Sequence, residues 1–362
     1  MDLAALIQSY RSKLEAQYGQ HLLPAHYRAL DAIIRCRTPA AGEVLARCGD
    51  CGQVEWRSCS CGHRSCPRCQ NHEVSQWLER QRNKLLPVDY FLVTFTLPAQ
   101  LRSLAWRHQR LVYSALFRAA RATLRQFGLN PKQLGAETGM TAVLHTHSRR
   151  LTYHPHLHVV MPGGGVDVKQ KLWKRTRYRY LFNAFALATV FRGKFLHEIG
   201  QCGLRPPAGT PKAWVVDCQL VGRGESALEY LSRYLYRGVI SNANIIADDH
   251  GQVTFRYIDG GTGAARTETL SGEAFLWRVI QHVLPRGFHR VRDYGFLHHN
   301  ARKLLQLVQL ILQVVITPAG SGERPHYCCS GCGGAMQVIH VRTVRLAQSI
   351  AQGQGPPRLL PG

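Results

Sequence analysis

The chain has 362 residues, 45% of them hydrophobic and 19% charged, a composition that excludes a disordered or fibrous chain and supplies enough apolar material for sizeable cores. Lys and Arg number 46 against 22 Asp and Glu, a formal net charge of +24. That excess runs along the whole chain rather than in a polybasic tail, which favours a nucleic-acid partner bound with counterion release over a membrane surface.

The start, Met1-Asp2-Leu3-Ala4, is not a charged n-region followed by an apolar core. The most apolar long stretch, Leu304 to Ile316, is interrupted by Gln306, Gln309 and Gln313 and is too short to span a bilayer. The expectation is a cytoplasmic protein with no membrane partner. In such a reducing compartment its twelve cysteines are metal ligands or buried thiols rather than disulfides.

Leu3 to Ile34 carries apolar residues at helical spacing, and seven cysteines then fall between Cys36 and Cys69. His72 to Leu86 reads as a polar helix ended by Pro87. Phe91 to Pro98 is a strand rich in β-branched and aromatic residues, Gln100 to Phe127 one or two helices, and Met140 to His147 and Tyr153 to Met161 two further strands, the second closed by Gly163-Gly164-Gly165. Leu172 to Ile199 is read as mostly helical, opening on the basic patch Lys174, Arg175, Arg177 and Arg179. A strand over Ala213 to Val221, a helix over Ser226 to Arg237, strands over Val239 to Ile246 and Gln252 to Ile258, and helices over Gly272 to Val283 and Asn300 to Ile316 complete the pattern. The Pro/Gly-rich tail beyond Gly353 reads as disordered. No dinucleotide-binding or P-loop glycine motif and no repeat is present. The expected division is a cysteine-rich N-terminal module over 1–87, a domain of strands and helices over 88–260, a mainly helical extension over 261–345 and a tail over 346–362.

Cys48-Gly49-Asp50-Cys51 and Cys66-Pro67-Arg68-Cys69 are two Cys-x-x-Cys knuckles with fourteen residues between them, close to zinc-ribbon spacing. Each supplies two thiolates at the bite of a tetrahedral Zn²⁺, so Cys48, Cys51, Cys66 and Cys69 are the expected structural zinc set. Of the remaining residues, Cys36, Cys61 and His63 can complete a second zinc site. Cys329-x-x-Cys332, with Cys328 beside it and His326 and His340 as potential partners, is a lone pair and weak by itself. Cys202 and Cys218 are most simply core thiols.

Five of the eighteen histidines fall within fourteen residues, at 145, 147, 154, 156 and 158. Alternation along a strand puts His154, His156 and His158 on one face and Leu157 and Val159 on the other. Two histidines at i and i+2 can hold one divalent ion with positions left open for substrate. The third ligand is expected to be His145 or His147 from the preceding strand, with His154 next. Imidazoles alone also suit Zn²⁺ or Cu²⁺; a phosphodiester substrate favours Mg²⁺ or Mn²⁺.

Ser226-Ala227-Leu228-Glu229 is a capping box, and the helix it opens places Tyr230, Arg233, Tyr234 and Arg237 on one stripe. Tyrosine, with a pKa of about 10, needs a polarised phosphate and nearby cations to act as a nucleophile. Arg233 and Arg237 are placed to stabilise a developing phosphate charge or to hold DNA.

Knuckles, then His154-Pro155-His156-Leu157-His158, then Tyr230-Leu231-Ser232-Arg233-Tyr234 form an order that resembles the two-tyrosine rolling-circle transposases of the HUH superfamily, of the insertion-sequence 91 type. The resemblance extends to Cys61 through Gln70, Val93 to Pro98, Leu144 to His147, and His282 to Phe288. It implies an α+β fold with a central antiparallel sheet flanked by helices after a small zinc module. It also implies metal binding at His156 and His158, nucleophiles at Tyr230 and Tyr234, and cleavage and rejoining of single-stranded DNA at element ends through a 5′-phosphotyrosine. Implied partners are single-stranded or hairpin transposon ends and target DNA, a host helicase or replication machinery because no helicase domain follows, and a second copy of the chain, in the bacterial nucleoid. A replication initiator or relaxase shares the chemistry but not the cysteine module; a non-catalytic zinc-containing regulator would bind DNA without a covalent adduct.

Overall fold

The computed structural model describes residues 1–69, 81–176, 181–224, 239–315 and 327–343. In chain order these form α1 (Leu3–Tyr18), α2 (Pro24–Arg35), β1 (Glu43–Cys48), β2 (Val54–Ser58), β3 (Asp89–Thr96), α3 (Arg102–Arg107) and α4 (Gln109–Leu129). Next come β4 (Met140–His147), β5 (Tyr153–Pro162), β6 (Gly164–Asp167), β7 (Leu172–Arg175), α5 (Ala184–Gln201) and β8 (Val216–Arg223). The last group is β9 (Ile245–Asp249), β10 (Gln252–Ile258), β11 (Ala265–Ser271), α6 (Gly272–Ile280), β12 (Val291–Tyr294), α7 (Arg302–Ile311), β13 (Tyr327–Cys328) and β14 (Ala335–Arg342). The expected helix over Ser226 to Arg237, most of that over His72 to Leu86, and the tail beyond Gly353 lie outside the described residues.

Two compact units arise. The larger comprises Met1–Ile34 and Gly62–Gly322, the smaller Arg35–Cys61 and Glu323–Gly362. This differs from the serial division expected from the sequence. The smaller unit is closed by long-range pairing, in which β1 lies between β2 and β14, with Cys48 opposite Met336, and β13 pairs with β14. A serial reading of spacings cannot see a strand that returns from the far end of the chain.

The larger unit is built on a five-stranded sheet, order β12-β4-β5-β3-β8, antiparallel throughout. Side chains alternate across it. Phe91, Val93, Phe95, Ala142, Leu144, Leu157, Val159 and Met161 face one side, where α3, α4 and α5 bury them in the main core. On the opposite side Tyr90, Leu92, Val143 and Val160 pack with Phe296, Leu297 and Val308. Further along this second side stand the histidines. The architecture is therefore α+β. A separate three-stranded antiparallel meander, β9 to β11, leads into α6, against which α1 buries Leu3, Leu6, Ile7, Tyr10 and Leu14 at helical spacing.

Three elements depart from the sequence reading. Leu172 to Arg175, read as the start of a helix, is a strand paired with Gly164 to Asp167. Gly164 permits this hairpin, since a Cβ there would lie 2.6 Å from the Lys174 carbonyl and the Trp173 ring. Asn242 to Asn244 is a 3₁₀ turn, so the strand expected from Val239 begins only at Ile245. The short strand β12, missed in the sequence, is an edge strand tied by Asp293, whose carboxylate accepts from Thr141 Oγ1 at 2.7 Å and from Lys84 Nζ at 2.5 Å.

One buried histidine of the fold has a measurable consequence. His26, fully buried in α2, accepts from the Leu23 N–H at Nδ1, 3.1 Å, which places its own proton on Nε2. Nε2 has no hydrogen-bond partner among the described residues, and the ring stacks on Trp106 with centroids 5.6 Å apart. Burial pushes its pKa down to about 4. Between the usual 6.5 and about 4 the unfolded chain binds a proton that the folded chain does not, so stability falls as pH drops through that window. Urea unfolding from pH 7 to pH 4 is expected to show a loss of roughly 2–3 kcal/mol attributable to this group. His26→Leu should flatten that part of the slope; an unchanged slope would remove His26 as its source.

Candidate active site

The three histidines are brought together by strand register. In the β4–β5 pair His145 lies directly opposite His156, and Val143 opposite His158. Directly opposed residues share a face, and i, i+2 neighbours do too, so His145, His156 and His158 converge. The ring centroids of His145 and His158 are 4.6 Å apart, those of His156 and His158 4.8 Å, and those of His145 and His156 5.5 Å. One ring nitrogen from each lies within 4.8 Å of the other two. Ligands of one octahedral ion sit about 3 Å apart at adjacent positions, so small ring rotations would close the set.

His147 stands elsewhere. A register shift after His145 puts Tyr153, not His154, opposite His147. The His147 ring stacks 6.0 Å from that of His145 and 5.2 Å from that of His282. His154 is held by Arg102, whose Nη2 lies 2.9 Å from its Nδ1. Of the residues weighed as third ligand, the structure gathers His145 with the pair and leaves His147 and His154 beside it.

The charge state of the group follows from its surroundings. Burial pushes the pKa of His156 down to about 3 and that of His158 to about 4, and His145 falls well below the usual value for the same reason, assisted by His158 and His156. At neutral pH all three are uncharged imidazoles, the form that donates a lone pair. For His156 the tautomer is fixed as well. Its Nδ1 lies 2.7 Å from the His154 carbonyl, which can only accept, so Nδ1 carries the proton and Nε2 the lone pair.

Beside the histidines a cavity of about 30 Å³ is lined by Arg64, Ser65, His145, His147, His282 and Arg290, among others. His282 donates from Nε2 to the Leu151 carbonyl at 3.0 Å, leaving Nδ1 as an acceptor that is buried without a hydrogen-bond partner among the described residues. Sequence reasoning placed His282 only in a shared motif and gave it no part in the site. Its separation from His147 along the chain left no spacing signal. Tyr230, Tyr234, Arg233 and Arg237 lie outside the described residues.

In the smaller unit the first knuckle, Cys48 and Cys51, meets Cys329 and Cys332 from the loop between β13 and β14. Sγ separations are 3.5 Å for Cys48–Cys332, 3.6 Å for Cys51–Cys329 and 3.5 Å for Cys51–Cys332. A tetrahedral zinc with Zn–S near 2.3 Å sets S···S edges of about 3.8 Å, so the four fit that ion. The Cys51 backbone N–H bonding to the Cys48 sulfur draws that thiol down to about 7, while Cys51 and Cys332, in contact with it, are pushed up, so Cys48 is the first of these three to ionise.

This corrects the expected set. The site around Cys48 and Cys51 is filled by Cys329 and Cys332, not by Cys66 and Cys69, because the β1–β14 ladder delivers the C-terminal knuckle that looked solitary in the sequence. His63, expected in a second zinc site, accepts from the Ser65 N–H at Nδ1, 3.2 Å.

Comparison with known proteins agrees with both regions. A family model described as "Putative transposase" matches residues 139–304, spanning the three histidines, and one described as "Transposase zinc-binding domain" matches residues 6–97. The chain is 34% identical over 393 aligned positions to "Putative transposase y4qJ" of Sinorhizobium fredii (strain NBRC 101917 / NGR234), covering 99% of this chain and 97% of that one. It is 29% identical over 293 positions to the transposase for insertion sequence element IS801 of Pseudomonas savastanoi pv. phaseolicola, covering 73% of this chain and 68% of that one. Two solved structures of the conjugative relaxase TrwC with DNA align with TM-scores of 0.23 and 0.24 at 15% and 14% identity, each over 62% of this chain and over 75% and 73% of the relaxase chain, too distant a likeness to argue from. With more than a third of its residues shared along nearly its whole length, and with the zinc-binding and transposase regions in the same order, the chain belongs to the IS91 family of rolling-circle transposases.

Proposed function

We propose that this DNA transposase cleaves and rejoins single-stranded DNA by tyrosine chemistry at a divalent ion held by His145, His156 and His158. The observation that carries the reading is the convergence of three uncharged imidazoles on one sheet face, with no carboxylate among the three. Mg²⁺ or Mn²⁺ bound there would polarise the scissile phosphate. The hydroxyl of Tyr230 or Tyr234 attacks phosphorus, the P–O3′ bond breaks, and the 3′-oxygen leaves with a proton as a free hydroxyl. The 5′-phosphate stays on the tyrosine, so bond energy is kept and rejoining by a 3′-hydroxyl needs no ATP. Arg233 and Arg237, three and seven residues after Tyr230 in the sequence, would hold the phosphate charge. The second tyrosine allows a second transfer while the first strand remains attached. Strand separation falls to a host helicase or to supercoiling, and pairing of two element ends favours a second copy of the chain.

We further propose a structural zinc ion in the smaller unit, held by Cys48, Cys51, Cys329 and Cys332.

Three measurements test these readings. On a denaturing gel with single-stranded end oligonucleotides and Mn²⁺, the wild-type chain should form a covalent adduct and Tyr230→Phe/Tyr234→Phe none; adducts with the double variant would remove these nucleophiles. Titrated with Mn²⁺, His145→Ala should lose at least about tenfold in affinity and His147→Ala much less, following the cost of a lost metal ligand or its support; the reverse ranking would make His147 the ligand. Metal analysis of purified protein should show the zinc content falling by one per chain in Cys329→Ser/Cys332→Ser and staying at the wild-type level in Cys328→Ser. An unchanged zinc content in the double variant would refute the assignment of the C-terminal knuckle.

A further inference from the structure

A second, larger cavity of about 350 Å³ opens beside the histidine site in the larger unit. Arg28 of α2, His63 and Arg64 of the knuckle motif, and Arg286 surround it, and Val283 and Leu284 supply its apolar wall. No carboxylate stands among the described residues that line it. Three guanidinium groups around one small volume repel one another, and a bound anion relieves that repulsion. The size is at the lower end of the roughly 300–1,000 Å³ of small-molecule clefts, and the pairing of cations with an apolar wall suits a ligand that is part anion and part aromatic ring.

The cavity is also built to stay in place. Arg64 donates to the carbonyls of Phe288 at 2.7 Å and Pro285 at 2.9 Å, and Arg110 donates to the carbonyl of Arg286 at 2.5 Å, so the loop that forms one wall is pinned from two sides. Arg64 and Leu284 line this cavity and the small one beside His145 alike. The two cavities therefore adjoin at Arg64 and Leu284, and His145 stands in the wall of the smaller one.

We propose that this cavity receives one unstacked nucleotide of the single-stranded DNA end, next to the phosphate being cleaved. Its phosphate pairs with Arg28 and Arg286, and its base lies against Val283, Leu284 and the His63 ring. This rests on the reading of the histidine site as the place of cleavage.

The test uses the full chain and a fluorescent single-stranded end oligonucleotide, with binding followed by anisotropy across a salt series. Arg28 and Arg286 are exposed, so their replacement leaves the fold intact. Arg28→Ala and Arg286→Ala should each weaken binding several-fold and lower the salt slope by about 0.7, the value for one lost phosphate contact on a single strand. In an abasic scan of the oligonucleotide, one position near the cleavage point should cost wild-type affinity, and Ala25→Trp, which fills the cavity and leaves its cations, should erase that cost. Unchanged affinity and slope in both arginine variants would overturn the proposal, and so would an arginine effect with no sensitive abasic position, which would indicate backbone contact alone. Adduct formation is scored in the same samples. If wild type forms adducts while the arginine variants bind normally, the pocket alone fails; if the abasic cost is present but adducts never form, the tyrosine reading fails and the pocket stands.

Discussion

Everything at the candidate site depends on the register of one antiparallel strand pair. His145 is opposite His156, and the pleat then places His158 on the same face. A slip by one residue would turn the histidines into the core occupied by Leu157 and Val159 and expose those side chains instead. The register is held because both faces of the sheet are spoken for. The helical side buries a continuous apolar layer, and the other side buries Tyr90, Leu92, Val143 and Val160 under Phe296 and Val308. The site is thus a local exception on a surface whose remainder is fixed by packing.

Burial does a second thing there. Three imidazoles crowded at neutral pH would repel if protonated, yet the same desolvation that makes the site costly for charge keeps them neutral. The His154 carbonyl, by accepting a hydrogen bond from the His156 Nδ1–H, leaves the lone pair on Nε2. A backbone group one pleat away therefore sets which ring nitrogen could coordinate. His282, tied to the Leu151 carbonyl across the turn between the two strands, extends this neutral, hydrogen-bonded set to a distant part of the chain.

Much of this was legible in the sequence, and the gaps have physical causes. Apolar, β-branched runs gave the strands over Met140–His147 and Tyr153–Met161 nearly to the residue, because a central strand is buried on both faces. Alternation along the second identified His156 and His158 as one face. It could not choose between His145 and His147, since both have the right parity and only the irregularity that sets Tyr153 against His147 separates them. The Leu172–Arg175 hairpin was read as helix because its partner is glycine, which carries no side-chain pattern. The cysteines group differently from their sequence spacing for another reason. Spacing describes neighbours along the chain, while Cys329 and Cys332 reach Cys48 and Cys51 through a ladder between residues nearly the whole chain apart.

That ladder has a bearing on how the protein is made. The ribosome delivers Cys48 and Cys51 early, and their site must wait for Cys329 and Cys332, at synthesis rates of about 5–20 residues per second. Until then two thiol groups stay open to other metals or to oxidation, and closing so long a loop costs more entropy than a local finger would. A message cut short before that point yields a chain with every histidine of the candidate site and an unsealed ribbon. The small unit thereby marks the difference between a finished polypeptide and an interrupted one.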